Sequence, residues 1–258
     1  MTEADGGVKE HPRRGIAPLI VAGCCAVLLL TGLGVWQLQR RAWKLELIRQ
    51  VETRADAAPV AAPGPGEWPT LTAANDAYRR VVVSGRFLND RETLVQAVTE
   101  RGSGFWVLTP MVTDWGFTVL VNRGFVPTDR RDAATRVAGQ IESDAAFAGL
   151  LRMTEPGGGF LRANDPLAER WYSRDVAAIA RAKGLTSVAP YFVDADATEN
   201  PGGLPVGGLT VISFPNNHLV YALTWFAMAA MLAGGLVYAV RLDRRRRATD
   251  LPPAGGAG

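Results

Sequence analysis

Two stretches of this chain run for 22 residues each without a charge: Gly15 to Trp36, GIAPLIVAGCCAVLLLTGLGVW, and Leu219 to Val240, LVYALTWFAMAAMLAGGLVYAV. A helix of that length spans about 33 Å, enough to cross a hydrocarbon core of about 30 Å. Two such runs near the two ends of a 258-residue chain are poor candidates for core helices of a soluble fold. The first is longer than the roughly 7–15-residue apolar stretch of a signal peptide. WQLQRRAWK follows it rather than a small-residue cleavage site, so it reads as an uncleaved anchor.

The charges give an orientation. The formal net charge is +3, but the tails 1–14 and 241–258 hold eight of the 28 Lys and Arg and five of the 25 acids. That leaves 20 of each between the spans, a formally neutral segment. The basic excess in RLDRRRR abuts a span and reads as a topology signal rather than a nucleic-acid patch. It places both tails in the cytoplasm and residues 37–218 outside it. Arg40, Arg41, Lys44 and Arg49 pull the other way, but no Lys or Arg lies in the 30 residues before His218. Cys24 and Cys25, the only cysteines, are adjacent within the first span, where they suit packing rather than a disulfide or a metal.

Residues 37–54 keep a helical rhythm with interleaved charges, and 55–69, rich in Ala, Pro and Gly, read as a linker. From Tyr78 the period changes. YRRVVVSGRF, TLVQAV, GFWVLTPMV, FTVLVNRGFV and AFAGLLRM read as strands, and PYFVD and GGLTVIS as late ones. SRDVAAIARAKG reads as a helix capped by Ser173 and ended by Gly184. The expected fold is a membrane protein in which two transmembrane helices, 15–36 and 219–240, flank an extracytoplasmic α+β domain with a curved antiparallel sheet.

The chain has two histidines, His11 in the N-tail and His218 at the start of the second apolar run. Nucleotide-binding, zinc-protease and nucleophile-elbow patterns are absent, as is the C-x-x-C-H of covalent haem attachment.

Four stretches together resemble the Surfeit locus protein 1 family of cytochrome c oxidase assembly factors: GLGVWQLQRRAWK (32–44), GFWVLTPM (104–111), VNRGFVP (121–127) and NNHLVYALTWF (216–226). Phe125 stands where the family usually has Trp. The resemblance implies a non-enzymatic factor in the bacterial inner membrane. Its partners would be the haem-copper oxidase core subunit, haem a synthase and the bilayer, with no nucleic acid. The implied cofactor is haem a, held transiently and non-covalently, with His218 as the iron ligand.

The residues are compatible with that role. Neutral imidazole is a good iron ligand. Tyr221, Ala222 and Trp225 follow His218 at i+3, i+4 and i+7. Trp36, Gln37, Arg40 and Arg41 leave the first span at the same interface, where a guanidinium suits a haem propionate. Three other readings remain open from the sequence: His218 as a helix cap, a haem-free scaffold that holds oxidase subunits, and a membrane-anchored extracytoplasmic enzyme.

Overall fold

The computed structural model describes residues 16–159, 161–210, 212 and 214–249. The N-tail 1–14, and the C-tail beyond Thr249, lie outside the described residues. The chain divides into two compact units, 1–47 with 214–258, and 48–213.

The first unit is a helix pair. α1 runs Ala17–Asp56 and α4 runs His218–Thr249, while the short α2 (Ala73–Asp76) and α3 (Val176–Ala182) belong to the second unit. Both are long and apolar enough to cross a membrane, and only 6% and 11% of their apolar windows are buried by the protein itself. That exposure separates them from the core helices of a soluble fold.

The helices pack antiparallel. A Cβ on Gly23 would meet the Leu236 side chain, and one on Gly34 the Phe226 ring at 2.6 Å. Covered positions on α1 include Ile20, Gly23, Val27, Leu30, Gly34, Gln37 and Arg41; on α4 they include His218, Ala222, Trp225, Ala229, Leu232 and Leu236. The alternating steps of three and four define a coiled-coil-like seam. Gly34, Ala222 and Ala229 let the backbones approach.

The second unit is a barrel. Its strands are β1 (Val60–Ala61), β2 (Arg80–Phe87), β3 (Thr93–Thr99), β4 (Gly102–Thr113), β5 (Thr118–Pro127), β6 (Ala145–Met153) and β7 (Val188–Ala195). They run in the order β1-β2-β6-β7-β5-β4-β3, and a further β2–β4 pairing closes a ring of five. β2–β6, β6–β7, β5–β4 and β4–β2 are antiparallel, whereas β5–β7 is parallel. The sheet is therefore mixed, not purely antiparallel. The reason is parity: strand direction cannot alternate all the way round a closed ring with an odd number of members.

Val81, Val83, Met111, Val119, Val121, Leu151, Tyr191 and Val193 fill the interior. Tyr191 Oη donates to Pro63 O at 2.7 Å, and burial, with Glu67 adding, pushes its phenol above the usual range. Trp68 packs edge-on against Phe117 at 5.6 Å, so part of the stretch read as a linker joins this core. Leu108, Leu120 and Phe192 face outward under Val95, Trp171 and α3 (Val176–Ala182). β5 is thus buried on both faces, which explains its nearly unbroken apolar run.

Two local expectations differ. Asp175, not Ser173, caps α3, accepting from Ala178 N. Ser173 Oγ is engaged instead by Gly158 N and Asn164 Nδ2, each at 3.0 Å. No strand forms among the described residues of 207–213. Gly208 takes φ +71, and Thr210 Oγ1 donates to Asp194 Oδ2 at 2.8 Å rather than joining a ladder.

Candidate functional site

His218 opens α4, and Asn217 O accepts from Tyr221 N at 3.3 Å as the helix starts. The imidazole is not spent on the backbone of its own helix. Its Nδ1 lies 2.7 Å from Oε1 of Gln37, 181 residues away in sequence. With the carboxamide oxygen facing the ring, the tautomer that makes this bond is the Nδ1–H form, in which Nε2, without a hydrogen bond among the described residues, keeps its lone pair. An outer hydrogen bond of this kind fixes both tautomer and ring orientation in a metal-ligating histidine.

The helix pair sorts the other candidates. Ala222 and Trp225 share the seam with His218, as does half-buried Arg41. Tyr221 is 56% exposed and Trp36 54%, both on outward faces. Arg40 turns outward and stacks over Trp43, its guanidinium carbon 4.1 Å from the ring centroid. So Gln37, Arg41, His218 and Trp225 line one seam, while Trp36, Arg40 and Tyr221 do not.

Two residues of the quoted motifs, Lys44 and Asn216, were not among the expected site residues. Lys44 Nζ donates to Pro215 O, tying α1 to the approach to α4. Asn216 has both side-chain polar atoms buried without a partner among the described residues, two positions before His218. A neutral imidazole with one ring nitrogen unengaged is of the chemistry that would ligate a haem iron. Among the described residues no cluster of three or more His, Cys, Asp or Glu could hold a bare metal ion instead.

The architecture defines a class: a closed, mixed β-barrel flanked in sequence by two helices of membrane-spanning length and composition. The chain belongs to the SURF1 family, whose model matches residues 24–230. It is 39% identical over 216 residues to Surfeit locus protein 1 of Homo sapiens, covering 77% of this chain and 70% of that protein. The Mus musculus protein of the same name is 38% identical over 215 residues, with 77% and 68% covered. A SURF1-like protein of Monosiga brevicollis is 36% identical over 236 residues, with 86% and 87% covered.

Proposed function

We propose that this chain is a non-enzymatic assembly factor for cytochrome c oxidase, which holds haem a transiently and assists its placement in the core haem-copper subunit. The observation that carries the reading is the Gln37–His218 hydrogen bond at 2.7 Å, which leaves Nε2 free at the end of an apolar helix pair. Membership of the SURF1 family supports the identity of the haem and of the oxidase, and haem a synthase is the matching donor.

The chain's own residues would divide the work. His218 would ligate, Gln37 would orient it, and half-buried Trp225 would offer an apolar face, whereas Ala222 is buried within the seam. Arg41 and Asn216 are the candidates for the propionates. When bound, haem a supplies the redox-active iron that the mature oxidase requires. Met228 lies ten residues beyond His218 on the same helix, roughly 15 Å away, too far to share a ligand with it. A ligand that His218 would hold alone would be readily released, as a carrier requires.

Protein purified in detergent from cells that make haem a should show a Soret band, and the pigment should extract as haem a. His218→Ala should insert and fold but lose the band and impair oxidase maturation. Asn217→Ala, at the residue before α4, should keep both and cost at most the about 0.5–2 kcal/mol of a lost cap, since its backbone oxygen still accepts from Tyr221 N. A pigment-free wild type would leave the scaffold reading in place of the carrier.

The topology belongs to the same proposal: a two-pass protein of the bacterial inner membrane, with both termini cytoplasmic and the barrel outside. The arginines after α4 motivate it. A reporter active only in the cytoplasm, fused after Gly258, should work. So should one active only outside, inserted in the exposed turn at Ser143. A stably made but silent C-terminal fusion would contradict it.

A further inference from the structure

Arg123, on β5, is 2% exposed and faces the barrel interior at one end. Its guanidinium lies over the Phe87 ring, 4.7 Å from the centroid. Nη2 donates to Gly139 O and, at 2.9 Å, to Asn200 Oδ1. Nη1 is buried and has no partner among the described residues.

The nearby charges do not balance. Glu92 is the carboxylate that could serve Arg123, but both its oxygens are taken by the guanidinium of Arg136, itself buried. This end of the barrel therefore buries two guanidinium groups against one carboxylate. Burial draws the Arg123 pKa down to about 10 although Glu92 pulls it up, and Arg136 adds to the fall. A buried charge without a counter-charge is costly, and native proteins seldom leave one unpaired.

Arg123 lines a cavity of about 100 Å³. That is room for about three waters, at roughly 30 Å³ each, or for one carboxylate on a short carbon stem. Val121, Ile141, Phe147 and Ala195 supply apolar walls for the stem. Glu199 and Thr198, both exposed, belong to the lining, so the cavity opens to solvent. Glu199 and Asp196, also in the lining, count against any anion and most against a dianion such as phosphate.

We propose that this cavity binds a carboxylate, with Arg123 Nη1 as the donor that anchors it. The source is either a small organic acid or the carboxylate terminus of a partner polypeptide.

The test uses the full chain in detergent, with near-UV circular dichroism reporting barrel unfolding. Acetate at about ten times its dissociation constant, against chloride at equal ionic strength, should raise the midpoint by about 3–5 °C. Ala195→Leu fills the cavity without touching Arg123 and should abolish the shift. Arg123→Lys keeps the charge but loses the planar fork and should weaken apparent affinity about tenfold or more. N-acetylglycylglycine and its amide separate the sources. A dipeptide acid that binds at least as well as acetate, with an inert amide, assigns a protein terminus, and binding of acetate alone assigns a small acid. The proposal fails if wild type shows no carboxylate-dependent shift, which would mean that water serves Nη1. It fails equally if Ala195→Leu keeps the full shift, a result that holds whether or not Arg123→Lys folds.

Discussion

Asp194→Ala should cost the barrel domain about 3–5 kcal/mol, a large part of the roughly 5–15 kcal/mol that stabilises a domain. Asp194 is 2% exposed, yet it accepts four hydrogen bonds. They come from Asn122 Nδ2 at 2.7 Å, Arg152 Nη1 at 2.7 Å, Arg174 Nη1 at 3.2 Å and Thr210 Oγ1 at 2.8 Å. Truncation removes one carboxylate and leaves Arg152, Arg174 and a buried amide each short of an acceptor, with Glu155 as the remaining counter-charge of both arginines. The penalty is that of uncompensated buried donors rather than the net worth of the pairs. Glu155 retains its fork with Arg174, which keeps the loss from being larger. Urea titration followed by near-UV circular dichroism should show the midpoint collapse. Asp194→Asn should fall between, since it keeps one acceptor but turns an N–H₂ toward other donors. A loss below about 1 kcal/mol for Asp194→Ala would mean that water replaces the carboxylate and that the network is not a keystone.

That network shows where sequence reading stops. Its members lie on β5, β6 and β7, before α3 and after β7, and nothing in local pattern links Asn122 to Asp194 or to Thr210. The strands themselves were legible because alternation and β-branched runs are local signals. The double burial of β5 was visible as an apolar run, but not what covered each face. Barrel closure and the parallel β5–β7 pair were hidden, because they depend on long-range register and on the parity of a closed ring. GGLTVIS reads as a strand by composition. Gly208 at φ +71 and the pull of Asp194 on Thr210 override that propensity.

The glycine of VNRGFVP illustrates a signal that is visible but mute. Gly124 has φ +127, and a Cβ there would sit 2.1 Å from Val206 O. The residue type hints at close approach, but only the fold names the neighbour. In the helix pair, the sequence singled out His218 by its rarity and drew in Gln37 by position. It could not show that they touch, since that requires the antiparallel register of α1 on α4. It grouped Tyr221 with His218 on one helix face and Arg40 with Gln37 at the span's exit, because i+3 spacing and adjacency do not reveal which side of a stripe faces the partner helix.

The second large effect concerns Gln37 and rests on the haem proposal. Gln37→Leu should reduce haem retention about 10–100-fold, the usual range when an outer hydrogen-bond partner of a metal-ligating histidine is lost. Leucine has nearly the same volume, so the seam between α1 and α4 should remain packed. The imidazole, however, loses the acceptor that keeps the proton on Nδ1, and with it the bias toward a free Nε2 and a fixed ring plane. Gln37→Glu restores an acceptor, now charged, and should recover retention and strengthen the donor character of the ring. The measurement is pigment per folded protein after purification, followed by the rate of haem loss to excess apomyoglobin. Faster loss in Gln37→Leu with rescue in Gln37→Glu is the signature of orientation through a hydrogen bond. A merely packing role for Gln37 would give the opposite order, with leucine tolerated and a buried carboxylate disruptive. If both variants release haem at the wild-type rate, His218 either does not ligate the iron or does so without help from α1.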